Sequence, residues 1–130
     1  MFTTDQIRTA HGRVKSGADF PAYIQEIAGL GVVSYIHYVS DGSIVYHGAD
    51  AYSTTAAARW ETVPVTPHGD REALARALAI HQQGGTDYLN FCRQAAAAGV
   101  WQWTVDIPRS LCTYYDRSGN ELLAETIPRP

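Results

Sequence analysis

Two segments of the sequence resemble each other, and this internal likeness limits the possible folds more than any other feature. When the segment that begins at Asp19, DFPAYIQEIAGLGVVSY, is shifted by 68 positions (from 19 to 87), it aligns without a gap with DYLNFCRQAAAAGVWQW, which begins at Asp87. The matches, such as Gly31 with Gly99, fall where a helix needs a cap, a buried face or a terminating glycine. We therefore predict two similar halves, related by an approximate internal two-fold.

The first half predicts two helices followed by strands. A helix is expected over about residues 4–15, and a second helix is expected to be capped by Asp19 and to end at Gly31. The next segment, VVSYIHYVS, is rich in β-branched and aromatic residues, and Asp41-Gly42 separates it from SIVYHG. Asp-Gly between two such runs is a strong hairpin signal. A third strand is expected around residues 59–65, after an Ala/Thr/Ser-rich stretch that we interpret as a loop.

The second half predicts the same order of elements. A helix that starts at Asp70 is expected to break at Gly84-Gly85, and the next helix is expected to be capped by Thr86 or Asp87. The segments VWQWTVDI, SLCTYYD and NELLAETI then predict an antiparallel meander. The expected class is α+β, with two αα-plus-antiparallel-strand units over about residues 4–65 and 70–127 packed around one core in a single domain, residues 1–130.

Alternation along the strands indicates which residues are buried. One face of the second half and the aligned face of the first half are both apolar and aromatic: Trp101, Trp103, Val105 and Ile107, and Val33, Tyr35, His37 and Val39. Since such a face must contact the helices, both sets are predicted to point inwards. His37 aligns with Val105, so a polar imidazole is expected on an otherwise apolar face.

Five residues are the candidates for a ligand-binding site: His37, Tyr35, Tyr46, His11 and His81. Tyr35 shares its strand face with His37, and Tyr46 lies on the adjoining strand of the predicted hairpin. A buried imidazole needs a partner for each ring nitrogen, and a ligand can supply a partner that the fold omits. The alternative for His37 is a packed interior in which backbone groups satisfy both nitrogens.

His11 and His81 lie on the apolar faces of the first helices of their halves. One interpretation brings them together near the internal axis, where Asp19 and Asp87 would complete a metal or acid–base site. The interpretation that we favour has each histidine bridging core and surface and each aspartate capping a helix. The spacing matches no metal motif, so no bound metal is expected.

The cysteines and the glycine pair are expected to be structural. Cys92 and Cys112 are spaced for neither a disulfide framework nor a zinc site, and Cys92 is predicted to be a small buried residue. Gly84-Gly85 precedes a helix but lacks the lysine and the glycine spacing of a phosphate loop. No cofactor is expected.

Composition narrows the possible partners. The net charge of −3 and the isoelectric point near 5.9 argue against nucleic acid and anionic membrane surfaces, which attract clustered Lys and Arg. No apolar run is long enough to span a membrane, and the N-terminal residues lack the basic-then-apolar pattern of a signal peptide. A cytoplasmic protein is therefore expected.

Several long motifs run through nearly the whole chain: Ala10-His11, VKSGADFPAYI, LGV, the Tyr-Val-Ser-Asp-Gly hairpin, HQQGGTDYLNFC and CTYYDRSGNELLAETIP. In these motifs the chain resembles the YbcV-like bacterial proteins, a small family with no assigned function. The resemblance implies a cytoplasmic bacterial protein of about this length, encoded in some genomes within prophage regions. Some members carry the label "phage envelope protein", although the sequence has no coiled coil, fibre repeat or membrane anchor typical of a virion component.

Three classes of function remain. The first is a binding module for a small ligand or a protein, which would use a groove between the two halves and some of the fourteen Trp, Tyr and Phe residues. The second is an enzyme built around His37 or the pair of His11 and His81. The third is a prophage-associated interaction protein. The first is favoured, because the sequence has many tyrosines but no recognisable nucleophile, metal or cofactor motif.

Overall fold

The computed structural model describes residues 2–15 and 17–128. The helices of this part of the chain are α1 (Thr4–His11), α2 (Phe20–Leu30), α3 (Arg71–Gln82) and α4 (Tyr88–Ala97), with a short 3-10 turn, Gly17–Asp19, before α2. None of them is long and apolar enough to cross a membrane. The strands are β1 (Ser34–Tyr38), β2 (Ile44–His47), β3 (Ser53–Ala56), β4 (Gln102–Asp106), β5 (Leu111–Tyr115) and β6 (Glu121–Thr126). The order of two helices and three strands occurs twice, and the predicted α+β class is confirmed.

The six strands form one antiparallel sheet in the order β3-β2-β1-β4-β5-β6. Each half is a meander, and the two meanders meet where β1 pairs with β4. Ile36 pairs with Thr104, and the 68-residue shift also relates these two residues. On either side, the pair of Tyr35 with Val105 and the pair of His37 with Trp103 are exchanged by the same shift. An approximate two-fold axis therefore passes between β1 and β4 and relates two roughly repeated helix-then-strand units.

Helix starts follow from local caps. Thr3 and Gln6 form a capping box at the start of α1. Asp70 and Asp87 cap α3 and α4, and their carboxylates accept from the backbone N–H three residues later, at 3.0 and 2.8 Å. The helix start predicted at Asp70 is confirmed, Asp87 is the cap of α4 among the two predicted alternatives, and α3 ends before Gly84-Gly85 as expected.

Two predictions for the first half's helices are wrong. Asp19 does not cap α2, because its backbone is in the right-handed helical region rather than the extended region that a capping residue needs. Its carboxylate accepts instead from the backbone N–H of Lys15 at 2.9 Å. Helix α1 ends at His11 rather than at residue 15, because the N–H groups of Arg13 and Val14 bond to carbonyls three residues back and tighten the chain into turns.

The third strand of the first half lies earlier than predicted. Residues 59–65 form no strand and are held against the β1–β2 turn, where the N–H groups of Arg59 and Val63 donate to the carbonyls of Asp41 and Ser40 at 2.7 and 2.6 Å. Strand β3 occupies the Ala/Thr/Ser-rich stretch that was interpreted as a loop. These residues form an edge strand because they pair with β2, and not because their own side chains favour a strand.

The helices cover one face of the sheet, and the inward set is largely as predicted. Its fully buried members are Tyr35, His37, Val39, Trp103 and Val105. Val33 was placed wrongly inside: it is 40% exposed, because it precedes the first residue of β1 at the end of the sheet. Trp101 and Ile107 flank β4 and are half-buried against the core.

Gly31 and Gly99 end α2 and α4 with φ of 109° and 86°, as predicted. A methyl group at Gly31 would lie 3.7 Å from the Phe2 ring, whereas at Gly99 it would lie 2.5 Å from the carbonyl oxygen of His68.

We expect Gly31→Ala to lower the free energy of unfolding by roughly 1 kcal/mol through backbone strain. Gly99→Ala should lower it by roughly 2–4 kcal/mol, because the clash adds to the strain. Urea denaturation of both variants tests this, and equal losses would contradict it.

Candidate functional site

A cavity of about 80 Å³ lies between the helices and the inner face of the sheet. This volume is several times the roughly 10–15 Å³ that one water molecule needs. The wall is largely aromatic and comes from both halves. Its main members are His11, Tyr23, Tyr35, His37, His81, Tyr88, Phe91, Trp103 and Tyr114.

Four of the five candidate residues line this cavity. His37 and Tyr35 come from β1, His11 from the last turn of α1, and His81 from the last turn of α3. Tyr46 is the exception: it lines a neighbouring cavity of about 290 Å³, and its ring lies 5.5 Å from the ring of Tyr35. The two cavities share His11 and Ile44 in their walls.

The cavity lies across the approximate two-fold axis. Three pairs of residues that are equivalent under the 68-residue shift contribute to its wall: Phe20 and Tyr88, Tyr23 and Phe91, Tyr35 and Trp103. His37 departs from this symmetry, because its equivalent, Val105, does not line the cavity. The cavity therefore has a largely aromatic wall in which both members of three pairs of equivalent positions contribute a ring, and His37 contributes a polar group without an equivalent on the other side.

His37 is buried, with 2% of its surface exposed. Its ring stacks on the indole of Trp103, with centroids 3.8 Å apart and planes 12° from parallel. This stack follows from the register of β1 and β4, which pairs the two residues. The Nε2 atom forms a hydrogen bond with the hydroxyl of Tyr88. Among residues 2–15 and 17–128, the buried Nδ1 atom has no hydrogen-bond partner.

His11 connects the cavity with Arg59. The Arg59 Nη1 atom lies 3.2 Å from His11 Nδ1, and since a guanidinium has only donors, His11 accepts and carries its own proton on Nε2. The His11 ring meets the ring of Tyr88 edge-on, with centroids 4.8 Å apart. Burial and the Arg59 charge lower the pKa of His11 to about 4, so its ring is neutral at pH 7.

His81 is held by a loop rather than by the other histidines. Its Nδ1 atom lies 3.1 Å from the hydroxyl and 3.3 Å from the carbonyl oxygen of Thr86, and its ring stacks on Phe91 at 4.4 Å. Burial lowers the pKa of His81. The structure thus brings His11 and His81 to one cavity, but Asp19 and Asp87 do not line it. In the described part of the chain, no three His, Cys, Asp or Glu side chains are grouped to hold a metal ion.

The deep wall of the cavity carries no charge at pH 7. Burial lowers the pKa of His37 to about 3 and raises the pKa of Tyr35, Tyr88 and Tyr114 above their usual value. The two cysteines are free and buried, as predicted for Cys92, and burial raises the pKa of both thiols. Nucleophilic chemistry by a thiolate has no support from such thiols.

Polar residues surround the mouth of the cavity. Lys15 and Gln82 line it and are exposed, so the cavity opens to solvent beside them. Glu125 is half-buried, and its carboxylate accepts from the hydroxyl of Tyr114 at 3.2 Å and from the Gln82 amide at 3.0 Å. A β-bulge at Tyr114/Tyr115 shifts the register of β6 by one residue and places Glu125 opposite the inward-facing strand position of Cys112.

Three residues that contribute to the site were not among the candidates. Trp103 was predicted to point inwards, but only the register of β1 and β4 places it beside His37. Tyr88 follows the predicted cap Asp87 and aligns with Phe20. The second half therefore has a tyrosine, with its hydroxyl, where the first half has a phenylalanine. Arg59 lies on a segment that was predicted as a strand, so its approach to His11 and Tyr88 had no sequence signal.

One protein family matches the sequence over residues 8–126, which is most of the chain. Its description is "Protein of unknown function (DUF1398)". The chain belongs to the DUF1398 family. The matches to this DUF1398 protein bear neither the YbcV-like name nor the label "phage envelope protein", so both stay predictions from the resemblance.

The DUF1398 protein is also similar to uncharacterised mycobacterial proteins, one from Mycobacterium bovis and two from Mycobacterium tuberculosis. Each is 40% identical to it over 53 residues, which is 41% of this chain and 32% of the relative. The match thus spans about a third of the length of these curated relatives. Their names state no activity.

We expect this DUF1398 protein to become less stable as the pH falls, because of His37. Its pKa is about 3 in the folded chain, whereas an unfolded chain keeps a value near 6.5. Since the folded-state pKa is the lower one, the unfolded chain takes up the proton first as the pH falls. Above pH 6.5 the effect is absent, and between pH 6.5 and 4.5 it should remove about 2 kcal/mol from the free energy of unfolding.

Urea denaturation between pH 8 and 4.5 measures this effect in wild type and His37→Val. Valine cannot be protonated, so the stability of wild type relative to the variant should fall by about 2 kcal/mol over the acidic part of the range. His68→Val is the control, because His68 is exposed and does not line the cavity. If wild type and His37→Val lose stability in parallel, His37 is not the group responsible.

Proposed function

We propose that this chain binds a small molecule in the cavity, with a largely apolar body and one polar group that hydrogen-bonds to Nδ1 of His37. The observation that carries the proposal is the buried Nδ1 atom, which has no partner among residues 2–15 and 17–128. An unpaired buried polar atom costs roughly 1–3 kcal/mol, and a ligand that pairs with it recovers this loss. Binding sites are typically apolar cavities with a few placed polar groups, and this cavity has that composition.

The electrostatics of the wall support a ligand that is neutral where it contacts His37. The His37 ring is uncharged at pH 7, because its pKa is about 3, and the deeply buried Tyr35 is also neutral because burial raises its pKa. A charged group placed here would lose its hydration without gaining an opposite charge. A charged end of the ligand would fit at the mouth instead, beside Lys15 and Glu125.

The other functions predicted from the sequence receive less support. A cavity of this size between helices and sheet suits a small molecule better than a protein, which would need a broad complementary surface. The prophage-associated interaction protein rests on the resemblance alone. An enzyme with a histidine-based site would use His37 or His11 as a base, but a histidine with a pKa of about 3 or 4 is a weak base at pH 7.

Titration with benzene and with phenol, followed by NMR, tests the proposal. Benzene probes the apolar wall, and phenol adds one hydroxyl that can donate or accept a hydrogen bond. Both should shift the signals of the His37 and Trp103 rings in wild type. In His37→Val, the affinity for phenol should fall roughly 3- to 10-fold, which is the effect of one neutral hydrogen bond, while the affinity for benzene should not fall.

Two further variants control this titration. His68→Val changes an exposed histidine outside the cavity and should bind both compounds as wild type does. Leu78→Phe adds volume to the cavity wall and should weaken the binding of both compounds. If wild type binds neither compound, or if His37→Val keeps the full affinity for phenol, the proposal is wrong.

A further inference from the structure

We infer that Tyr88 and Arg59 fix the tautomer of His37 so that the cavity presents a hydrogen-bond donor and selects ligands that carry an acceptor. The ligand part of this inference rests on the proposed function. The tautomer is a property of the protein alone and can be measured without any ligand.

The direction of one hydrogen bond decides the tautomer. A neutral imidazole carries its single proton on either Nδ1 or Nε2, and the nitrogen without the proton is an acceptor. In the described part of the chain, the hydroxyl of Tyr88 is the partner of Nε2, and Nδ1 has none. If Tyr88 donates to Nε2, the proton of His37 lies on Nδ1, which has no partner among the described residues.

The chemistry of the two groups favours Tyr88 as the donor. A phenolic hydroxyl loses its proton far more readily than the N–H of a neutral imidazole, and the bare imidazole nitrogen is a stronger base than a phenolic oxygen. Arg59 acts on both groups: its charge and a hydrogen bond oppose the burial that raises the pKa of Tyr88, which makes the hydroxyl a better donor, and its charge also lowers the pKa of His37. The Arg59 guanidinium lies over the Tyr88 ring, 5.5 Å from its centre.

Arg59 also contacts His11. Its Nη1 atom donates to Nδ1 of His11 at 3.2 Å, and the His11 ring packs edge-on against Tyr88. Within the described residues, no carboxylate forms an ion pair with Arg59. The Arg59 cation therefore has no side-chain counter-ion among the described residues, and both Arg59 and His11 contact the Tyr88 ring.

A protonated Nδ1 gives the cavity a preference among ligands. Carbonyl, ether and pyridine-type groups accept from an N–H, so they can pair with His37. A group that only donates would leave its own N–H and that of His37 unpaired in a buried site, and this loss excludes it. The ligand class is therefore a small, mostly apolar molecule whose polar group is an acceptor.

Nitrogen NMR of the ligand-free, ¹⁵N-labelled protein tests the tautomer. The His37 signals should show a protonated Nδ1 and an unprotonated Nε2 in wild type, and a mixture of both forms in Tyr88→Phe. Tyr115→Phe is the matched control, because Tyr115 does not line the cavity, and should keep the wild-type signals. A proton on Nε2 in wild type, or an unchanged tautomer in Tyr88→Phe, would overturn the inference.

The role of Arg59 has its own pair of variants. Arg59→Gln removes the charge next to Tyr88 and should shift the His37 tautomer in the same direction as Tyr88→Phe, but by less. Arg13→Gln removes an exposed charge that pairs with Glu26, outside the cavity, and should have no effect. Wild-type tautomer signals in Arg59→Gln would show that Tyr88 acts without Arg59 and would overturn that part of the inference.

Three rings of similar size test the selection: benzene, pyridine as a pure acceptor, and pyrrole as a pure donor. At pH 8, the affinity for pyridine is divided by the affinity for pyrrole, once in wild type and once in Tyr88→Phe. The measured quantity is the wild-type ratio divided by the variant ratio. This division cancels the different hydration of the two rings. We expect a value of roughly 3 to 10. A value of one would overturn the selection of acceptors. If none of the rings binds, the proposed function and the selection both fail, and the nitrogen signals still decide the tautomer.

Discussion

The antiparallel pairing of β1 with β4 is the contact on which the rest of the structure depends. Each half alone is a three-stranded meander with an unpaired inner edge, and a free edge of this kind invites pairing with another chain. Pairing the two edges satisfies their backbone groups and places the inward faces of both halves side by side. The four helices of the described chain can then cover one continuous face, and a single core of buried residues forms beneath them.

The site arises from a difference between the two halves. At equivalent strand positions, the second half has Val105 and the first half has His37. The pairing of β1 with β4 sets Tyr35 opposite Val105 and, by the same geometry, His37 opposite Trp103. Tyr35 thus lies opposite an aliphatic side chain, whereas Trp103 lies opposite the imidazole of His37 and stacks on it. The paired strands supply the aromatic wall of the cavity, and His37 adds a buried polar group that the equivalent position of the second half lacks.

Much of the fold could be predicted from the sequence because its signals are local. The caps at Asp70 and Asp87, the positive φ of Gly31 and Gly99 and the hairpin at Asp41-Gly42 depend on neighbouring residues only. The inward position of His37 followed from alternation and the internal likeness. The rest depends on contacts between distant segments. The register of β1 and β4 places Trp103 at His37, and the start of α4 brings Tyr88 there. The sequence of β3 has little strand character of its own, and residues 59–65 are fixed by the β1–β2 turn rather than by a sheet.

The position of the cavity across the approximate two-fold axis has a consequence for how a guest molecule would lie in it. A binding site on a true symmetry axis offers an asymmetric guest two identical poses, as in many homodimers, and the guest occupies both. Here the two sides of the wall differ at one pair of equivalent strand positions, because His37 of the first half lines the cavity and Val105 of the second half does not. Joining both halves in one chain allows each half to change separately. A guest with a head and a tail that binds as proposed would therefore have a single pose, with its head at His37 in the first half of the chain.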